Sequence, residues 1–375
     1  MIYTRNMKNN TKTSIAAVCF QKNWLIEQAK KLVLPDPVLL EKCVYAMELL
    51  GSLADSGFPF VFKGGTSMLL LLPINALRRL SIDIDIVSEE PELVSETGLS
   101  EIVRNGIFLR CEEDVRGEQR LPKRKHFKFW YHSECSERED YVLLDVLLEQ
   151  NLYSAITQCR VGTELIPTER DILVSIPTID ALLADKLTAF APSTVGVKLT
   201  DDSNMQVIKQ LSDVAVLFQY ATDITQIRDT FARICDAEIG YRGGNLSRQN
   251  VLEDIVATSC LIAMHNLKGE PKSNKDQARL LFGGAKKLTQ HLIGGTIAIE
   301  EMKVFASRAA AIAELVANPS ASVLLEDIRF DVGHINELGE ITLKGPLNRL
   351  KQTNPEAFYL WHQITRIRPN ATPGV

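Results

Sequence analysis

Hydrophobic and polar positions along the chain change period several times, and each change predicts an element. Val38, Leu39, Cys43, Ala46, Met47 and Leu50 recur at helical spacing. Asp36 and Pro37 stand in front of them as an N-cap and a first-position proline, and Gly51 and Gly57 bound the far end. Phe58 to Lys63 is a short apolar strand running into Gly64-Gly65, and Ser67 to Leu72 predicts a short helix opening at that turn. In Ile82 to Ile86 apolar and acidic residues alternate, the period of a strand. Asp83 and Asp85 then share one face while Ile82, Ile84 and Ile86 line the other. Leu99 to Phe108 is helical in pattern; Phe127, Phe129 and Tyr131 alternate with Lys128 and Trp130 as in a strand. Tyr141 to Leu148 is almost wholly apolar and reads as a central strand, with Asp145 as the exception in its middle.

Behind Pro177-Thr178, Ile179 to Phe190 predicts a helix whose one face carries Leu182, Leu183, Lys186, Ala189 and Phe190. Lys186 therefore interrupts an apolar stripe, and such a lysine either snorkels to water or meets an anion. Beyond residue 220 the pattern is helical to the end. Stripes run from Val251 to Ala263, from Leu280 to Leu292 before Gly294-Gly295, and from Ile297 to Val316 before Asn318-Pro319. Asn354-Pro355 opens a last helix through Ile367. No internal repeat is visible. The expected fold is α+β: a mixed sheet with helices, followed by a helical C-terminal half. The expected division is 1–176 and 177–375.

Composition narrows this picture. A chain of 375 residues has room for two domains. With 45% hydrophobic and 24% charged residues it is ordinary for a globular protein. The net charge of −5 leaves no global field to attract nucleic acid, so any such surface must be a local patch. The seven cysteines are scattered, without metal spacing, and point to reduced thiols in a cytoplasmic protein. The six histidines show no metal spacing either and read as ordinary surface or core residues. The longest apolar run, Met68 to Leu72, is far too short to span a bilayer.

Chemistry concentrates between residues 63 and 86. Two carboxylates on one strand face repel each other unless a cation lies between them, and Mg²⁺ suits such a pair because it takes hard oxygen ligands together with substrate phosphates. Gly64-Gly65-Thr66-Ser67 lets backbone N–H groups approach an anion, with two hydroxyls as further donors. Asp145, in an apolar strand, needs a partner or a metal. Arg116, Arg120, Lys123, Arg124, Lys125 and Lys128 stand against one acid, Glu118, next to alternating aromatics. This segment is either a basic surface that contacts a polynucleotide backbone and stacks a base, or a solvated hairpin with its apolar face inward.

Lys63-Gly64-Gly65-Thr66-Ser67 followed by Arg79-Leu80-Ser81-Ile82-Asp83-Ile84-Asp85 resembles the signature of the DNA polymerase β nucleotidyltransferase superfamily. The pattern is most similar to its AbiEii/AbiGii toxin branch, with a 15-residue spacer between Ser67 and Asp83 that is longer than in many members. Leu183-Ala184-Asp185-Lys186-Leu187-Thr188-Ala189 and Lys209-Gln210-Leu211-Ser212-Asp213 match later motifs of that branch, and the resemblance covers roughly residues 20 to 220. It implies a polymerase β-like core and an enzyme that uses a nucleoside triphosphate and two Mg²⁺ ions, with Mn²⁺ as a substitute. Asp83, Asp85 and Asp145 would hold metal. Lys63, Gly64, Gly65, Thr66, Ser67, Arg79, Ser81 and Lys186 would hold the triphosphate, with Lys186 and Asp213 contributed by the C-terminal half. The resemblance also implies the toxin of a toxin–antitoxin or phage-defence system that modifies an RNA acceptor, the tRNA 3′ end first, and so blocks translation, with a separately encoded antitoxin. Transfer to a protein or small molecule, or a silent nucleotide- or RNA-binding module, are the alternatives.

Overall fold

The computed structural model describes residues 13–91, 94–115, 121–271 and 274–369. The chain divides into two compact units. The first holds residues 1–151, 156–177 and 290–295; the second holds 152–155, 178–289 and 296–375.

The first unit starts with helices α1 (Lys22–Lys31) and α2 (Pro37–Asp55). The Asp36 carboxylate caps α2 by accepting from the Val38 N–H at 2.9 Å, the role its position in front of Pro37 predicts. Strand β1 (Val61–Lys63), the single-turn helix α3 (Met68–Leu71) and strand β2 (Ile84–Ser88) follow. Helix α4 (Glu96–Asn105) begins three residues earlier than the apolar pattern alone suggests, because Ser95 caps it through the Gly98 N–H. Strands β3 (Arg110–Glu113), β4 (Arg124–His132) and β5 (Glu139–Leu148) complete a five-stranded sheet in the order β1-β2-β5-β4-β3. Only the β2–β5 pair is parallel, so the sheet is mixed. Strands β6 (Ile156–Arg160) and β7 (Leu173–Pro177) form a separate antiparallel pair.

The two faces of the main sheet differ as the alternation dictates. Ile84 and Ile86 of β2, Phe127, Phe129 and Tyr131 of β4, and Val142, Leu144 and Val146 of β5 are buried. Helix α2 covers this face, with Tyr45 stacked on Tyr131 at 3.7 Å between ring centroids. The intervening residues, Asp85, His126 and Asp145 among them, are half-buried. One face thus binds the sheet to its helix and the other is left for polar side chains.

A segment distant in sequence also belongs to this unit. Leu80 N–H donates to the His291 carbonyl at 3.1 Å, and Ile293 N–H donates to the Arg78 carbonyl at 2.9 Å. Residues 290–292, which periodicity assigns to the preceding helix, leave it to pair with the chain around Arg79.

The second unit is helical: α5 (Ile179–Ala189), α6 (Asn204–Phe218), α7 (Ile224–Arg242), α8 (Arg248–Met264), α9 (Lys275–Leu288), α10 (Ile299–Ala317), α11 (Leu350–Thr353) and α12 (Pro355–Ile367). Helix α10 packs on α6, α8 and α12. Ala306, Ala309, Ala310 and Ala313 are buried along it, and small contact residues let neighbouring helices approach closely. No helix among the described residues is long and apolar enough to cross a membrane.

Candidate active site

The polar face of the sheet carries one row of four residues from four adjacent strands. Lys63 of β1 lies opposite Asp85 of β2, Asp85 lies beside Asp145 of β5, and Asp145 lies opposite His126 of β4. The row places a cation, two carboxylates and an imidazole across the sheet. Asp145 is not sealed in the core as an apolar strand suggests: β5 buries Val142, Leu144 and Val146, while the Asp145 side chain on the other face is 29% exposed. His126 Nδ1 lies 2.5 Å from Asp145 Oδ1. Asp83 precedes β2 by one residue and is half-buried, like Asp85.

The glycine turn is fitted to this row. Gly64 has φ +81°, a conformation L side chains rarely adopt, and a Cβ there would sit 2.0 Å from Asp85 Oδ2. A Cβ on Gly65 would sit 2.5 Å from Arg79 Nη2 and 2.9 Å from Ser81 Oγ. The two glycines are therefore the space in which Asp85, Arg79 and Ser81 meet the turn. Thr66 and Ser67 are fully buried and their hydroxyls point inward. Thr66 Oγ1 donates to the Asp83 carbonyl at 2.6 Å and Ser67 Oγ to the Gly64 carbonyl at 2.8 Å. In this arrangement the hydroxyls brace the turn against the Asp83 segment. Arg79, 9% exposed, is positioned by the 290–295 segment as well as by the turn.

In the helical unit, Lys186 and Asp213 come together. Lys186 Nζ on α5 lies 3.4 Å from Asp213 Oδ2 on α6, with the side chains 8% and 2% exposed. The lysine does not snorkel to water; its anion is a carboxylate of the next helix. On the same helix Asp185 Oδ2 accepts from the Tyr153 hydroxyl at 2.9 Å.

Residues 49–279 match the model of a family described as nucleotidyl transferase AbiEii toxin, type IV TA system. That is more than half of the chain.

The chain belongs to the AbiEii family.

It is accordingly a nucleotidyltransferase of the toxin–antitoxin class. Among solved structures, this AbiEii chain is similar to JHP933 from Helicobacter pylori, at 14% identity over 86% of this chain and 100% of that one, with a TM-score of 0.42. A second H. pylori structure matches at 14% identity over 81% and 99% of the two chains, with a TM-score of 0.41. At scores this low neither structure adds to the assignment. No curated protein matches the chain.

The basic segment of the AbiEii chain resolves only in part into an open surface. Arg116 and Arg120 lie outside the described residues. Lys123 and Arg124 are exposed at the start of β4, whereas Lys125 donates to the Val94 carbonyl at 2.5 Å. Lys128 is paired with Asp114 at 2.9 Å. Phe127, Phe129 and Tyr131 are fully buried, Tyr131 against Tyr45 of α2, so they stack no base. Trp130 donates from Nε1 to Glu112 at 2.7 Å and carries the Arg110 guanidinium 4.3 Å above its ring. The solvated-hairpin alternative describes these aromatics: the strand turns its rings into the core because alternation leaves them no other face.

Among the described residues, no three His, Cys, Asp or Glu side chains close into a ready-made metal cage. The residue sequence reading passes over is His126, which it counts with the ordinary histidines. Alternation places it with Lys128 and Trp130 on the polar face of β4; only the β4–β5 register places it on Asp145.

Proposed function

We propose that this AbiEii protein transfers a nucleoside monophosphate from a nucleoside triphosphate to an RNA acceptor, the tRNA 3′ end, and so blocks translation as the toxin of a cytoplasmic toxin–antitoxin pair. The observation that carries this is the carboxylate row beside the glycine turn. Asp85 and Asp145 are neighbours across parallel strands, and Gly64 and Gly65 pack directly on Asp85, Arg79 and Ser81.

This donor set fits Mg²⁺, or Mn²⁺ in its place. A hard cation of this kind takes one or two carboxylates and completes its shell with substrate phosphates, so it needs no closed protein cage. When bound, a pair of such ions supplies charge stabilisation to the attacking and leaving oxygens of an in-line displacement. The chain's own residues do the rest. Asp83, Asp85 and Asp145 supply the hard oxygens, and Asp145 also helps to activate an attacking hydroxyl. Arg79, Ser81, Lys63 and the backbone N–H groups of the Gly64-Gly65 turn bind phosphate oxygens, and Thr66 and Ser67 hold that turn in shape. Lys186, paired with Asp213, is the cation of the helical unit that the family pattern assigns to the triphosphate. Lys123 and Arg124 lead a backbone contact with RNA, with Arg116, Arg120 and Lys125 beside them in sequence. The binding partner implied by a toxin is an antitoxin encoded separately.

The test is incubation of the protein with each of the four α-labelled ribonucleoside triphosphates and total RNA. Label is expected in the tRNA band, from one triphosphate in preference to the others. Charge reversal at Lys123 and Arg124 should weaken RNA use and flatten its salt dependence without changing the nucleotide added. Label that enters a protein or a small molecule, with none in RNA, overturns the acceptor. Label in none of these leaves the silent binding module.

A further inference from the structure

The contact between His126 and Asp145 goes unused in the reaction proposed above. His126 Nδ1 stands 2.5 Å from Asp145 Oδ1, the two residues are direct cross-strand partners, and the imidazole is more enclosed than the carboxylate, at 16% against 29% exposure. An ionised carboxylate only accepts hydrogen bonds, so His126 Nδ1 is placed to donate to this oxygen in the tautomer that carries its proton there. Both backbones are fixed by the sheet: the His126 carbonyl accepts from the Asp114 N–H at 2.7 Å, and Asp145 is held between β2 and β4. A donor built into a neighbouring strand thus grips one oxygen of Asp145. The other oxygen lies beyond that grip, and Asp85 is the next residue along the row.

We propose that His126 is a positioning residue for Asp145: its Nδ1–H fixes the carboxylate rotamer so that the second oxygen is presented to a divalent cation shared with the triphosphate. This rests on the metal reading of the proposed function. Side chains that orient a metal-binding carboxylate typically change metal affinity by 10–100-fold when removed.

The experiment is a titration of the full-length protein with Mn²⁺ in the presence of a non-hydrolysable triphosphate analogue, followed by electron paramagnetic resonance of free Mn²⁺. His126→Ala removes the donor. His126→Phe removes it while keeping ring volume. His126→Asn retains an N–H donor close to the position of Nδ1. Thermal melting of each variant is read alongside. Alanine and phenylalanine variants are expected to bind Mn²⁺ at least about tenfold more weakly, with asparagine recovering most of the loss. A role confined to packing predicts the opposite ordering, with phenylalanine close to wild type and asparagine no better than alanine. If His126→Ala does not fold, His126→Phe decides. Unchanged Mn²⁺ affinity in the donor-free variants, with wild type binding normally, overturns this inference and leaves the metal reading standing. Wild type that binds no Mn²⁺ with the analogue overturns both.

Discussion

Gly64 shows how tightly single residues define the site. Its φ of +81° and the 2.0 Å that would separate an added Cβ from Asp85 Oδ2 leave room for no side chain. In Gly64→Ala the left-handed backbone costs roughly 1–2 kcal/mol. The larger effect is on Asp85, whose own Cβ would be 2.9 Å away, so the whole side chain has to shift. Displacing a reacting group by about 1 Å can cost on the order of 100-fold in rate, so transfer is expected to fall by that much while the protein stays folded. Rate at saturating triphosphate and a thermal melt separate the two effects; full turnover in Gly64→Ala would mean that Asp85 is not the carboxylate this turn serves. At this scale the sequence is informative wherever the chemistry is local. Asp83 and Asp85 are two residues apart, and strand alternation alone is enough to expect them on one face, although β2 itself begins at Ile84. His126 and Asp145 are 19 residues apart on different strands, and their contact depends on a register that no local pattern encodes.

The same limit holds for elements. Helix α5 is legible from its Thr178 cap and apolar stripe, and α6 carries the Lys209 to Asp213 segment that matches the family motif. What periodicity leaves open is how one faces the other, and that decides the fate of Lys186. Read alone, its apolar stripe makes Lys186→Met as stable as wild type. Its 3.4 Å approach to Asp213, with both side chains buried, reverses that expectation. Removing one member of a buried ion pair leaves a charge without its partner and typically costs about 3–5 kcal/mol. Lys186→Met is therefore expected to lower stability by that order, and Lys186→Met combined with Asp213→Asn to regain most of it. Chemical denaturation of the two variants checks this, and a Lys186→Met protein as stable as wild type would show that the pair contributes little to the helical unit. Strands β3, β6 and β7 are among the elements the hydrophobic pattern leaves out, as is helix α1. The β6–β7 pair buries little on one face, Ile156 and Leu173 being exposed, so its alternation is weak.

Over the whole molecule, stability should fall as the solution is made more alkaline, for a reason apart from the site. Glu48 on α2 is 2% exposed, and burial pushes its carboxyl up to about 7, against the opposing pull of the Ser14 and Ile15 N–H groups at 2.8 and 2.9 Å. A carboxyl whose folded value is raised binds protons more tightly when folded, so its contribution is complete below about pH 4.5 and is lost as pH rises to about 7. A rise of that size is worth about 3 kcal/mol. Glu48→Gln, whose amide oxygen can accept the same two N–H donors, should match wild type near pH 4.5 and exceed it by up to that amount at about pH 8. Denaturation curves at both pH values test this, and parallel pH profiles for the two proteins would contradict it. The α+β class, the central place of the Asp145 strand and the helical second half all follow from sequence pattern. The return of residues 290–295 to the sheet unit does not, because it joins positions more than 200 residues apart through backbone hydrogen bonds that any sequence can make. In the proposed function, nucleotidyl transfer depends on the carboxylates at the glycine turn. Losing any one of them removes charge stabilisation that counts most in the transition state. The most direct measurement is incorporation of an α-labelled triphosphate into RNA by wild type and by Asp83→Ala, Asp85→Ala and Asp145→Ala, each shown to be folded by circular dichroism. Wild type is expected to label RNA and each variant to be inactive; near-wild-type labelling by any of the three would contradict its place in the site.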